Sequence, residues 1–351
     1  MTNEADHQKA GGYPQKPNGP KGARIAIPFL QDEKNGRLGA LVAAAGACYA
    51  ASMSGARLDW AILLILVVIW GSAFAGLKIA ALEVSPAWVA AGRLIVATIV
   101  LAALAQATGE RFPPLSQTRT WRVYALIGAF GTAAPFFLFA WAAGRMDSTI
   151  VAICNGGSPF FTAVFAAFML GDRMGARSIV GLALGFAGLL VLASPGLTQG
   201  ATAQALGVAA GLVGAAGYAY ANVVTKTAPP VGPIVAAAMF CLAGAVVSTP
   251  IAALTSPLPV DVSMAAWTSV IGLGLFPTGI ASVLYVMLIR RRGPLFTAYT
   301  TYLTPLWAVL VGVVLLQERP GPETALALAL VLAGMAVSNW PTGQPLRSPT
   351  R

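Results

Sequence analysis

Charge is what this sequence has least of. Only 22 of its 351 residues are Lys or Arg and 12 are Asp or Glu, so 10% are charged, against about 25% in soluble domains. A soluble chain needs far more polar surface than that. With 57% apolar residues and a mean hydropathy of +0.74, the composition specifies an integral membrane protein. Histidine is nearly absent too. The single His7 sits in a polar tail, which excludes catalysis or metal ligation that needs an imidazole inside the membrane. Three cysteines, Cys48, Cys154 and Cys241, have no metal or redox spacing. Their odd number gives no disulfide framework, and they read as small buried hydrophobes. No lysine follows a glycine, so the phosphate-binding G-x-x-x-x-G-K-[ST] loop is missing, which argues against ATP drive. No metal or cofactor is expected.

The twelve carboxylates all fall in tails, loops or the ends of apolar runs, so no acid at midmembrane offers itself as a proton relay. A facilitator, an exchanger and a proton antiporter all stay open. The net charge of +10 does not point to nucleic acid, because the basic residues are spread through short loops between apolar runs.

What is present is length in the apolar runs. Stretches of about 17–25 residues cross a bilayer core, and the sequence holds ten, near 60–82, 86–107, 121–143, 147–170, 177–194, 203–225, 231–254, 265–289, 295–316 and 322–340. Breakers such as Ser85-Pro86, Pro113-Pro114 and Pro229-Pro230 separate them. With the N-terminus inside, eleven basic residues after Asp59 fall in cytoplasmic segments and two, Arg145 and Arg319, fall outside. That asymmetry predicts a multi-pass protein of a bacterial-type inner membrane with both termini cytoplasmic.

Residues 1–58 read as a cytoplasmic tail, largely disordered. Its apolar part at 38–56 is mostly Ala and Gly, and as an eleventh span it would put six basic residues outside. The run MSGARLDW makes Met53 the expected natural start. Residues 342–351 form a second cytoplasmic tail.

The chain also repeats itself. At an offset of 146, Trp121 falls on Trp267, Gly128 on Gly274, Gly188 on Gly334, Pro159 on Pro305, Asp172 on Glu318 and Arg173 on Arg319. Each half, 59–195 and 203–341, then holds five spans. Five is odd, so the second copy enters the membrane upside down. Inverted repeats are a hallmark of secondary carriers with a substrate site at the midplane. The expected fold is therefore all-α, with ten transmembrane helices as two inverted five-helix repeats.

Pro159 and Pro305 sit in the fourth span of each half, where proline frees a carbonyl and bends a helix. Ser148, Asn155 and Thr162 can share one face, as can Thr297, Thr301 and Thr304. These hydroxyls either line a path or bond to their own and neighbouring helices. Phe139, Trp141, Asn155, Tyr285, Tyr299 and Tyr302 complete the candidate binding set, which suits neutral or zwitterionic molecules with apolar bodies. Lys78 and Arg93 are the basic residues inside predicted spans. Either Lys78 snorkels to the outer surface and Arg93 pairs with outer acids such as Glu83, Asp147, Glu318 or Glu323, or they attract an anion or hold a gate. Asp172 and Glu318 end their helices against the macrodipole, so a basic partner is expected for each, as anchor or as gate. Glycine pairs 181/185 and 207/211 permit close helix contacts within one chain or between two copies in a homodimer.

The segments IWGSAFAGLKIA (69–80), SPAWVAAGRLIVA (85–97), SPFFTAVFAAFMLGDR (158–173) and TPLWAVLVGVVLLQER (304–319) resemble the EamA family of the drug/metabolite transporter superfamily. The resemblance covers about 59–341, with Asp172 standing where glutamate is usual. It implies a central cavity bounded by the third, fourth, eighth and ninth spans. It further implies alternating-access transport, mostly outward, of amino acids, other small metabolites or drugs. The partners are then a small-molecule substrate and the lipid bilayer. The competing class is a structural or signalling membrane protein with no wet path. An intramembrane enzyme would need a base near its nucleophile, and with His7 in the tail and no acid at the centre that base is missing.

Overall fold

A computed structural model describes residues 55–171, 174–198, 202–297 and 299–338. The expectations about Met53 and the tail to residue 54, about the tail at 342–351 and about Asp172 and Arg173 lie outside them. Every regular element among the described residues is helical: α1 (Gly55–Glu83), α2 (Pro86–Ala107), α3 (Thr118–Gly128), α4 (Ala134–Ala143), α5 (Ser148–Gly156), α6 (Ser158–Leu170), α7 (Ala176–Thr198), α8 (Thr202–Thr227), α9 (Pro233–Thr255), α10 (Met264–Leu273), α11 (Ala281–Thr297), α12 (Tyr299–Leu315) and α13 (Pro322–Ser338). Short π-helical segments at Ala129–Ala133 and Gly274–Ile280 join α3 to α4 and α10 to α11.

Seven of the resulting helical stretches are long and apolar enough to cross a membrane. They include Thr118–Ala143, Ser148–Leu170 and Met264–Ile289, each built from two of the elements above. Three shorter apolar helices, Ala176–Leu192, Tyr299–Leu315 and Pro322–Ser338, stand near the lower length limit of about 17 residues. Large apolar side chains face outward all round, among them Leu64, Ile99, Phe168, Leu254 and Leu310, as a lipid-facing surface requires. This is a multi-pass membrane protein.

Local chemistry sets the helix ends. Ser85 accepts a hydrogen bond from the Trp88 N–H with Pro86 in the first turn, and Ser263 does the same for Ala266. At the C-terminus of α6, Gly171 takes the left-handed conformation (φ 70°) that closes a helix. Carboxylates from a distance in sequence cap two further N-termini, those of α9 and α5, and buttress the Ser263 cap of α10. Glu110 accepts from the Ile234 and Val235 N–H groups at 3.0 Å each, Glu83 from Ser263, and Glu318 from Ser148 and Thr149.

The two proline positions differ. Pro159 follows Gly156-Gly157 in a span broken into α5 and α6 at Gly157, whereas Pro305 lies inside the unbroken α12. Gly156 and Gly157 stand where Tyr302 and Leu303 precede Pro305, and glycine is the weaker helix former at both positions.

Equivalent helices of the two halves pack in pairs. On α7 and α13, Gly181 meets the Gly334 carbonyl while Gly188 meets the Ala327 carbonyl, so the two helices run antiparallel. Helices α2 and α9 also run antiparallel, with Ala87 and Ala91 beside Ala252 at one end and Ala105 beside Val235 and Met239 at the other. Gly207 and Gly211 receive Met146 and Cys154 of the same chain. Cys154 and Cys241 are buried free thiols, as the sequence suggested.

Candidate functional site

Between the halves lies one cavity of about 1550 Å3. At one end its lining reaches exposed Asn222, Thr225, Lys226 and Arg291, which mark a mouth. Beside the mouth, Asp59 accepts from Arg291 Nε at 2.6 Å and lies 3.7 Å from Arg292. Among the described residues, none of the opposite end lines the cavity. That end is sealed by polar locks: Lys78 Nζ donates to the Met146 carbonyl at 2.8 Å, and Glu318 clasps the start of α5.

The π-helical segments shape the interior. A π turn widens the helix and leaves backbone groups without their usual partner, which at membrane depth must be satisfied by protein or cavity. Thr132 Oγ1 donates to the Gly128 carbonyl at 2.6 Å, Thr278 Oγ1 to the Leu273 carbonyl at 3.0 Å, and Trp70 Nε1 to the Pro277 carbonyl at 3.0 Å. Gly128 and Gly274 lie so close to α9 and α2 that a Cβ on either would sit within 3.0 Å of neighbouring backbone. Both segments carry the pattern G-x-F-x-T, at 128–132 and 274–278.

Of the residues picked from sequence, Phe139, Asn155, Pro159, Thr162, Tyr285, Pro305 and Arg93 line the cavity. Phe139 packs against Tyr218 with centroids 5.4 Å apart, and Tyr285 against Trp70 at 5.2 Å. Asn155 and Thr162 flank the break at Gly157.

Other picks lie elsewhere. Trp141 is two residues past Phe139, which turns it about 200° round the helix, and its ring stacks under Arg145 at 3.6 Å instead. Tyr299 is half exposed beside Trp60 and Phe296, two residues before the lining Thr301. Tyr302 points to α13, where its hydroxyl donates to the Met335 carbonyl at 2.8 Å. Ser148 and Thr297 do not line the cavity. Lys78 serves the sealed end. Glu318 finds helix N–H groups rather than the basic partner expected for it. Arg93 reaches none of the outer acids; its Nε donates to Thr278 Oγ1 at 2.7 Å and its guanidinium lies 3.8 Å from the Phe136 ring centre.

Sequence reasoning missed Phe136, Tyr218, Thr278 and Trp70. The repeated G-x-F-x-T was the available signal for Thr278. Tyr218 lies in an Ala- and Gly-rich stretch of α8 with nothing beside it to mark it.

Asp147 lies in the loop before α5 at the sealed end, and its surroundings shift its titration. Burial raises its carboxyl above the usual 3.8, nearby Glu318 adds to the rise and Lys78 opposes it. Between 3.8 and that raised value the folded state holds a proton that the unfolded chain has released. Stability therefore rises as pH falls through this window. Asp147→Asn is expected to be at least as stable as the parent at neutral pH and to lose that increment. Melting in detergent as a function of pH checks it, and an unchanged pH profile in the variant contradicts it.

The model of the EamA-like transporter family matches residues 59–194 and 205–340. A "probable terminal-alkyne amino-acid exporter" of Streptantibioticus cattleyicolor is 29% identical over 283 residues, which is 80% of this chain and 92% of that one. The inner membrane transporter YedA of Escherichia coli K12 is 29% identical over 272 residues, 77% of this chain and 87% of its own. The aromatic amino acid exporter YddG of Ancylobacter novellus is 30% identical over 188 residues, 51% of this chain and 63% of its own. A crystal structure superposes with a TM-score of 0.57 at 25% identity, over 80% of this chain and 96% of its own.

Proposed function

Because this chain belongs to the EamA-like transporter family, as the match over both halves shows, we propose that it is a secondary carrier exporting small amino-acid-like solutes by alternating access. The observation that carries the reading is the cavity: one space, walled by both halves, with a mouth at one end and polar locks at the other. A scaffold or signalling protein has no need of such a space.

The carrier has ten spans in two inverted repeats. Support comes from the antiparallel packing of α7 on α13 and of α2 on α9, which the offset of 146 makes equivalent pairs. Both termini are cytoplasmic, so the mouth faces the cytoplasm and the present form is the one that loads. Exchange of conformations between the halves then moves the opening to the other side.

The wall combines Phe74, Phe139, Tyr218 and Tyr285 with Asn155 and the hydroxyls of Thr162 and Thr301. Aromatic faces take an apolar body and a few polar groups orient it. The amino-acid exporters among the relatives agree with that class. Nothing in the site is built for chemistry on the solute, and we assign it no enzymatic role.

Vesicles reconstituted with purified protein and preloaded with an amino-acid panel should lose at least one solute faster than protein-free vesicles. Flux equal to protein-free vesicles for every organic solute would sink the proposal.

A further inference from the structure

Arg93 is the charge that the carrier reading leaves without a role. It lies seven residues into α2, roughly 10 Å from the end of the helix at 1.5 Å per residue. A guanidinium has five N–H donors and no acceptor. Among the described residues only Nε has a hydrogen-bond partner, Thr278 Oγ1, and no carboxylate forms an ion pair with Arg93. The Nη donors have no protein acceptor among those residues either, and the side chain forms part of the cavity wall. An arginine at membrane depth normally pairs with an acid or with backbone carbonyls. This one is oriented at one edge by Thr278 and packed on one face by Phe136. The other edge, with the paired donors that fit a carboxylate, is left to whatever fills the cavity.

The cavity treats the opposite charge differently. Glu110 is the carboxylate in its lining, and it lies near the mouth with one oxygen occupied by the Ile234 and Val235 N–H groups. Nothing deep in the cavity matches Arg93 with a negative charge. Tyr218 packs between Phe139 and Phe136, the ring on which the guanidinium lies.

We propose that Arg93 is the carboxylate anchor of the binding site, so that the ligand class is a monocarboxylate with an apolar or aromatic body whose amino group is dispensable. This rests on the carrier reading and narrows it. The carboxylate docks on the Nη edge, Thr278 holds the guanidinium in place, and the apolar body lies along Phe139 and Tyr218. An amino acid is accepted for its acid group rather than for its ammonium.

Four probes differing in those two groups test the point: L-phenylalanine, 3-phenylpropionate, L-phenylalaninamide and phenethylamine. Binding to purified protein is read by calorimetry, and efflux from preloaded vesicles is read in parallel. The expected result is that the two acids bind while the amide and the amine bind at least about thirty-fold more weakly, the usual scale for leaving a buried charge unpaired. In Arg93→Gln that preference should vanish, and Arg93→Lys should restore part of it. Equal binding of acid and amide by the parent protein overturns the proposal without any variant. So does preference for the amine, or binding of none of the four. Should Arg93→Gln fail to fold, the parent's ranking of the probes still decides. The two readings fail separately. Efflux of phenethylamine or L-phenylalaninamide at least as fast as that of the two acids keeps the carrier while removing the anchor; absence of flux for every solute removes the carrier.

Discussion

Leucine at Gly181 or Gly334 is expected to leave little folded protein in the membrane. A Cβ built on Gly181 lies 2.5 Å from the Gly334 carbonyl oxygen and 2.9 Å from the Ser338 nitrogen. One on Gly334 lies 2.5 Å from the Gly181 carbonyl and 2.8 Å from the Gly185 nitrogen. These neighbours are backbone, so no rotamer change relieves the contact and the helices must separate. Overpacking costs about 1–3 kcal/mol when side chains can shift, and this site should exceed that. A total stability of about 5–15 kcal/mol leaves little margin. The loss also reaches beyond the pair, because α7 carries Gly185, against which the Phe160 ring of α6 packs. Gly272→Ala supplies the contrast. Nothing lies within 4 Å of a Cβ there, and alanine in a helix gains roughly 0.5–1 kcal/mol over glycine. Size-exclusion profiles and melting of detergent extracts should show aggregated or absent protein for the leucine variants and a parent-like or raised melting point for Gly272→Ala. A monodisperse, parent-like Gly181→Leu would mean that α7 and α13 do not pack as described.

The same pair of helices shows what a sequence can tell. The spacing that put Gly188 on Gly334 picked out glycines that do meet the opposite half, because close approach needs a missing side chain whichever helix provides it. The seven long apolar helices were legible for a similar reason: about twenty apolar residues in a row have few places to go. Rotational phase was not legible. Phe139 and Trp141 looked equally good as cavity residues, yet two steps along a helix turn a side chain to the far wall. The π-helical segment at Ala129–Ala133 lies just upstream and shifts that phase again. Partners far apart in sequence were also hidden. Glu318 looked like an acid in need of a base, and the helix start that satisfies it lies 170 residues earlier. A basic residue and a bare helix N-terminus offer a carboxylate much the same thing, so the spacing of charges alone does not separate them.

Glu318→Ala is accordingly expected to open the sealed end rather than to unfold the protein. The carboxylate accepts from the Ser148 N–H at 2.6 Å, from the Thr149 N–H at 3.1 Å and from Thr149 Oγ1 at 2.7 Å. Alanine leaves those donors unpaired where α5 packs against α12, and each buried donor without a partner costs about 1–3 kcal/mol. An opened end admits water to the same groups, so the penalty falls on the closed form. A differential of about 2–3 kcal/mol shifts the ratio of closed to open forms roughly 30- to 150-fold. The readout is a cysteine at Asn155, which lines the cavity next to the break at Gly157. With Cys48 replaced by serine and Cys154 and Cys241 buried, a membrane-impermeant thiol reagent reports mainly on that position. Applied from the Glu318 side of oriented vesicles, it should modify the parent slowly and the alanine variant far faster. Glu318→Gln keeps one acceptor and loses the charge, and should fall between the two. Equal labelling in all three would place the seal elsewhere, with Lys78 and the Met146 carbonyl as the remaining lock.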